Sequence, residues 1–345
     1  MGMRVAVLGR TKMLYDAITY LENEGHEIVL IGTCKAAPEY TVNEEDFKKK
    51  ADELRVPFFN DSHINSQPIV DLLCSVKADI AVSVNWLTLI SQAVLDIFPH
   101  GILNAHCGDL PRYKGNACPN WAIIKGEKQF AISIHFMQEE LDSGDIVIKE
   151  YHAIDAETTI TDIYEIIEYA VPRLFCKAID NIQNGDRGLP QSKDPELTLR
   201  CYPRLPQDSI IDWKWTCERI LKVIRATRFP FSGAYTFYGD IKLHIMDGKK
   251  KAYDSPCHVC EGQVIRVDRH SGSVEIAAGD GAVVIDSVYI EGEKIAASKI
   301  LGSTRIRLGY CPEEEIYYLR KQIQELRQEL DHVGNYRCCD SGIKR

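Results

Sequence analysis

Arg4-Val5-Ala6-Val7-Leu8, the helix-like span Lys12 to Asn23, and Glu27-Ile28-Val29-Leu30-Ile31 open the chain as strand, helix, strand. The pattern continues with Glu44 to Leu54 as a second helix and Ala78-Asp79-Ile80-Ala81-Val82-Ser83-Val84 as a third strand. The strand runs are short and β-branched, and they alternate with helices, which argues for an α/β fold: an open, mostly parallel Rossmann-like sheet with crossover helices. Ligands of such sheets sit beyond the carboxyl ends of the strands, where Asn85 and Asn104 fall. Gly9-Arg10-Thr11 follows the first strand, but no G-x-G-x-x-G sequence does, which disfavours a dinucleotide.

Asn104 and His106 lie two residues apart after the apolar run Gly101-Ile102-Leu103. On an extended strand end both side chains leave by the same face and can converge on one atom. Asp142 follows the strand-like run Ile132 to Phe136, on a short loop closed by Ser143-Gly144, within reach of the imidazole. Amide, imidazole and carboxylate are the groups needed to hold an oxyanion and move a proton. Taken singly, the three also read as a turn cap, a satisfied half-buried histidine and a loop acid.

The surrounding sequence decides between these readings. Leu110-Pro111-Arg112-Tyr113-Lys114-Gly115, then Trp121-Ala122-Ile123-Ile124 and Gly126, then Leu141-Asp142-Ser143-Gly144-Asp145-Ile146 resemble the formyltransferases that use N10-formyltetrahydrofolate. That family is marked by an Asn-x-His pair, a Leu-Pro-x-x-x-Gly turn and a Leu-Asp-x-Gly-Asp loop, all present here in order. The resemblance implies that Asn104 and His106 polarise a formyl carbonyl, while Asp142 orients His106 and helps take the proton of an attacking amine. It also places the pterin of the folate against the loop Trp86-Leu87-Thr88-Leu89, with Gln138, Glu139, Glu140 and Leu141 covering the opposite side. Apolar members of these loops read equally as core packing.

The chain has 345 residues and 45% hydrophobic content, enough for two domains. No run of about 18 apolar residues occurs, and Met1-Gly2-Met3-Arg4 leads straight into a strand, so a cytoplasmic protein off the membrane is expected. The 12 cysteines are scattered without a secretion signal, which argues for reduced thiols. Cys257-His258-Val259-Cys260 has the spacing of half a zinc site, with Cys338-Cys339 as a conceivable other half; lacking a second well-spaced pair, no metal is expected.

Residues 1–190 read as the catalytic domain, closed by a helix over Thr158 to Asn184 that Pro172 should kink. The stretch from Asn184-Gly185 to Pro206, rich in Gly, Pro and polar side chains, reads as a linker, placed at residues 191–206. Ile211-Asp212-Trp213, Ile224-Arg225-Ala226 and Pro230 to Tyr235 resemble the accessory C-terminal domain of methionyl-tRNA formyltransferases. Strand-like runs at Ile241 to Met246, Gly262 to Val267, Ser273 to Ala278 and Ala282 to Val288 suit a small five-stranded OB-like barrel over residues 207–309.

Charge bears on the acceptor. With 50 acidic against 41 basic residues and net charge −9, a grip on a nucleic-acid backbone is not expected. Lys249-Lys250-Lys251 reads as a solvated turn rather than a basic patch. In methionyl-tRNA formyltransferases the loop after the second strand carries a long basic insertion. Here Cys34 to Glu45 holds one Lys and three Glu, which would repel phosphate. Small-molecule substrates are therefore expected: the folate donor and a nucleotide-linked amino sugar. Transfer to methionyl-tRNA, hydrolysis of formyltetrahydrofolate and a catalytically silent binding module stand as alternatives. Cys107-Gly108-Asp109 departs from the family, where a Pro-Ser-Leu-like sequence is common, and Asp109 there either receives a cationic amine or caps the turn.

The tail, residues 310–345, places Ile316, Leu319, Ile323, Leu326 and Leu330 at alternating three- and four-residue steps. This is an a/d seam of about two heptads, suited to docking on its own chain or to a short homodimer zipper.

Overall fold

A computed structural model describes the backbone of residues 2–309 and 312–339, with side chains for all of these except 313–315 and 331–339. The first domain is built on strands β1 (Arg4–Gly9), β2 (Glu27–Thr33), β3 (Phe58–Asn60), β4 (Ile80–Val84) and β5 (Ile102–His106), joined by helices α1 (Lys12–Asn23), α2 (Glu44–Leu54), α3 (Gln67–Val76) and α4 (Gln92–Leu95). The two-residue strand β6 (Lys114–Gly115) and α5 (Cys118–Lys125) precede β7 (Gln129–Phe136), β8 (Ile146–Ala153) and the long α6 (Ile160–Gln183). The main sheet has seven strands in the order β3-β2-β1-β4-β5-β7-β8. Its first five are parallel, and β7 and β8 return antiparallel.

The expected Rossmann-like architecture is present, and the local reasons are readable. On α1, Met13, Leu14, Ala17, Ile18 and Leu21 form one buried stripe. Asn43 with Asp46 and Thr159 with Asp162 close capping boxes at the starts of α2 and α6. One core layer holds α1 and α6 against one sheet face, and a second holds α3 and the 90–98 segment against the other. Pro172 lies inside α6, which continues from Ile160 to Gln183.

The expected linker is not free. Arg200–Cys201 forms β9, which pairs in parallel with β6, matching Lys114 to Arg200 and Gly115 to Cys201. Trp121 also donates its indole N–H to the Tyr202 carbonyl at 3.0 Å. Beyond it, α7 (Cys217–Thr227) packs on α5, and Ala226 joins the core of the first domain, so the boundary near 207 is not a clean cut. Asn120 Nδ2 donates to the Ala226 carbonyl at 2.7 Å across this contact.

The C-terminal domain differs from the expected five-stranded barrel. Its strands are β10 (Ala234–Tyr238), β11 (Ile241–Ile245), β12 (Lys249–Lys251), β13 (Val264–Val267), β14 (Val274–Ala278), β15 (Gly281–Ile285), β16 (Ser287–Ile290) and β17 (Glu293–Ala296). They form two four-stranded antiparallel sheets, β10-β11-β16-β17 and β12-β15-β14-β13, around one apolar core. The run Ala282 to Val288 reads as one strand, but it breaks at Asp286, whose carbonyl accepts from Ala297 N–H at 3.0 Å. The two halves then enter different sheets, which is how a chain turns a corner between sheets.

The Lys249–Lys251 stretch is a strand rather than a turn. Lys250 pairs with Asp280 at 2.8 Å, and Lys251 with Glu275 at 2.9 Å and Asp254 at 3.1 Å, so this cluster is largely neutralised. The last described elements are a short helix α8 (Ala297–Ile300) and α9 (Pro312–Cys339). Among the described residues no helix is long and apolar enough to cross a membrane.

Candidate active site

Strand geometry brings the three expected polar residues together. Asn104 and His106 share one face of β5, at the carboxyl end of a parallel strand. The antiparallel partner β7 sets His135 directly opposite Asn104 and Ser133 opposite His106. Cross-strand partners point to the same face, so His135 joins the site. It is nearly fully buried, at 2% exposure. The segment Ser133-Ile134-His135 does not by itself give the pairing register, which is why the residue was not assigned from the sequence.

Hydrogen-bond partners fix both imidazoles. His106 Nε2 lies 2.6 Å from the Tyr113 carbonyl oxygen. A carbonyl can only accept, so Nε2 carries the hydrogen and Nδ1 is left toward the site. Nδ1 lies 3.5 Å from Asp142 Oδ2. His135 Nδ1 donates to the Phe136 carbonyl at 2.8 Å, and its Nε2 lone pair accepts from Asn104 Nδ2 at 3.1 Å. Burial, reinforced by the neighbouring His106, pushes His135 down to about 4, so it is neutral at pH 7 and keeps that lone pair. One Asn104 amide hydrogen is thereby spent on orientation, and the other is free for a ligand.

Asp142 is held by backbone on both sides. It sits at φ 49°, in the left-handed region, on the loop between β7 and β8. Its Oδ2 accepts from Gly115 N–H at 2.8 Å. From the linker, Gln191 Nε2 donates to the carbonyls of Asp142 at 2.9 Å and Gly144 at 2.8 Å. Neither Gln191 nor β9 is visible in the sequence as part of the site, because a short polar stretch without apolar periodicity does not reveal its partners. Gly144 itself leaves no room for a side chain: a Cβ there would lie 1.9 Å from the Phe136 carbonyl oxygen.

The departure at Cys107-Gly108-Asp109 has a structural account. A Cβ on Gly108 would stand 2.5 Å from His106 Nε2 and 2.3 Å from the Tyr113 oxygen, so the imidazole position needs glycine there. Asp109 Oδ1 accepts from Lys149 Nζ at 2.9 Å and from the Tyr151 hydroxyl at 2.9 Å. It anchors the turn to β8. Burial of the Cys107 thiol pushes it up to about 12, leaving it protonated.

These residues open into a cleft of about 910 Å³ walled by both domains and the linker. Its lining includes Trp86, Leu87, Thr88 and Leu89, and also Gln138, Glu140 and Leu141. Glu139, expected beside them, accepts from Gln92 N–H at 3.2 Å through its carboxylate. Leu87, Leu89 and Leu141 are 50%, 66% and 37% exposed, an apolar edge left facing solvent. Pro38, Glu39 and Tyr40 form part of the rim, with Tyr40 under the Arg10 guanidinium at 5.3 Å and accepting from Asn85 Nδ2 at 2.9 Å. The linker adds Pro203 to Pro206, and the C-terminal domain adds Tyr235, Lys242 and His244.

The cysteines flagged for zinc lie elsewhere. Cys257 and Cys260 are exposed in the C-terminal domain, and the side chains of Cys338 and Cys339 lie outside the described residues. Among the described residues no group of three or more His, Cys, Asp or Glu side chains is placed to hold a metal ion.

Residues 3–179, more than half of the chain, match the formyl transferase family. The chain belongs to that family. Residues 205–303 match the formyl transferase C-terminal domain. A methionyl-tRNA formyltransferase from Alkaliphilus oremlandii is 28% identical over 297 residues, covering 85% of this chain and 93% of that protein. Among solved structures, WlaRD, a sugar 3N-formyl transferase crystallised with dTDP and 5-N-formyl-THF, superposes with a TM-score of 0.60 at 17% identity, covering 85% of this chain and 99% of that one. HypX from Aquifex aeolicus, in complex with tetrahydrofolic acid, superposes with a TM-score of 0.59 at 19% identity over 88% of this chain; the chain spans 47% of HypX. At those identities the two structures speak for the fold.

Proposed function

We propose that the protein is an N-formyltransferase that moves the formyl group of N10-formyltetrahydrofolate to the primary amine of a nucleotide-linked amino sugar. The observation that carries the transfer chemistry is the convergence of Asn104, His106 and Asp142, with His135, in one cleft of a formyl transferase family chain. When bound, the folate supplies the formyl carbon. The residues fit such a donor: exposed Leu87, Leu89 and Leu141 offer apolar surface in the same cleft as Asn104.

The protein's own groups then have defined tasks. The free Nδ2 hydrogen of Asn104 is a pre-oriented donor for the carbonyl oxygen that gains negative charge as an amine adds. A neutral amine must attack, because an ammonium has no lone pair. As the new C–N bond forms, the amine nitrogen becomes cationic and must lose a proton. His106 Nδ1, held by the Tyr113 carbonyl on its other side, is the basic nitrogen that takes it. Asp142, 3.5 Å from Nδ1, stabilises the imidazolium that results. The same proton is then available to the nitrogen that leaves when the old C–N bond breaks.

The rim supports a small acceptor. The loop after β2 does not project as a basic arm but folds back through Tyr40 onto Arg10 and Asn85, leaving Glu39 at the cleft mouth. A second reading, methionyl-tRNA as acceptor, is favoured by the 28% identity to a methionyl-tRNA formyltransferase. Incubating the protein with N10-formyltetrahydrofolate and, separately, nucleotide amino sugars, charged initiator tRNA or buffer distinguishes the possibilities. Formylation of a sugar amine is expected; formylation of tRNA alone overturns the sugar assignment, and tetrahydrofolate release in buffer alone identifies a hydrolase.

A further inference from the structure

Among the described residues, helix α9 carries five aliphatic side chains that the rest of the chain leaves open. Ile316, Leu319, Ile323, Leu326 and Leu330 are 48%, 47%, 49%, 59% and 70% exposed. Of the two fates the seam suits, docking on its own chain is not seen among the described residues. A helix in water depends chiefly on burying an amphipathic face, so an exposed seam of this kind needs an occupant.

We propose that the occupant is a second copy of this chain, paired through α9 as a parallel, in-register, two-stranded coiled coil. The steps between the five residues alternate three and four, a narrow a/d stripe rather than the wider face of a helix that docks on a globular body. Ile316, Ile323 and Leu330 fall at a, and Leu319 and Leu326 at d. β-Branched residues at a with leucine at d favour two parallel strands.

The flanking charges select the orientation. Arg320 and Arg327 occupy the e positions, and Gln322 and Glu329 the g positions. An antiparallel pair sets e against e and opposes these arginines to their own copies. A parallel pair sets g against e, so Gln322 of one copy meets Arg327 of the other, an amide acceptor beside a guanidinium. The outer face carries the Lys321–Glu325 pair at 3.8 Å, with Tyr317 and Tyr318 near the start of the helix.

Sedimentation equilibrium of the full-length protein between about 1 and 100 µM tests this. The mass is expected to rise from 39.1 kDa toward twice that value. Leu319→Glu with Leu326→Glu is expected to hold the mass at 39.1 kDa with an unchanged circular dichroism spectrum for the remaining domains. Gln322→Glu reads out orientation: in a parallel dimer it adds two ion pairs with Arg327 and tightens the dissociation constant about threefold. In an antiparallel dimer it faces Glu329 and weakens the association. A wild-type monomer at 100 µM, a dimer that survives the double substitution, or weakening by Gln322→Glu each overturns the proposal.

Discussion

Replacing His135 by phenylalanine removes the lone pair that holds the Asn104 amide. The two side chains meet at 3.1 Å from directly opposed strand positions, and the imidazole is itself locked by the Phe136 carbonyl at 2.8 Å. Losing an oxyanion donor outright costs about 3 to 4 kcal/mol, or a hundred- to a thousandfold in kcat. His135→Phe leaves the donor in place but frees its rotation, so the cost is that of one neutral hydrogen bond, about 1 to 1.5 kcal/mol, or roughly tenfold in kcat. Asn104→Ala is expected to show the full loss.

The cycle between the two substitutions is the decisive measurement. If His135 acts through Asn104, His135→Phe costs less than about twofold once Asn104 is alanine. His135→Gln, whose side-chain oxygen can accept at the Nε2 position, restores most of the rate. Tetrahydrofolate release in the presence of the identified amine acceptor supplies kcat, and thermal melts confirm that the variants fold. Additive losses, or a wild-type rate in His135→Phe, refute the assigned chain of orientation.

Three further outcomes are expected. His106→Ala and Asp142→Asn each lower kcat by at least about a hundredfold while folate affinity, read by quenching of tryptophan fluorescence, stays near wild type. Gly108→Ala forces the His106 ring or the Tyr113 carbonyl aside, because the added carbon would fall 2.5 Å from Nε2; activity should be lost with a destabilisation of about 1 to 3 kcal/mol in urea titration. The unfolded chain takes up a proton on His135 near its ordinary value of 6.5, whereas the folded chain resists to about 4. That stability is thus full above about pH 6.5 and is lost as pH falls toward 4, by roughly 3 kcal/mol, and His135→Gln should flatten this part of the stability profile.

Much of the catalytic domain is legible in the chain because its elements are locally encoded. The spans Lys12–Asn23 and Glu44–Leu54 are read with the bounds the helices have, since a buried apolar stripe marks the first and a capping box the start of the second. The C-terminal domain is less legible. Its short strands are visible, but Asp286 hands one apolar run from one sheet to the other, and nothing local distinguishes that bend from a continuous strand. The linker is the other failure: Arg200 and Cys201 find their strand partner more than 80 residues earlier, at Lys114 and Gly115.

By itself the sequence determined the open α/β sheet and the acidic loop after β2, and its motifs drew attention to Asn104, His106 and Asp142. Periodicity, charge and short contiguous patterns survive in one dimension. Only the tertiary structure decided which neighbours make those residues usable: His135 across the ladder, Gln191 from the linker, and Gly108 under the imidazole. Register and long-range contact arise when distant segments are brought within hydrogen-bond distance, and no local run of residues encodes the partner it will meet.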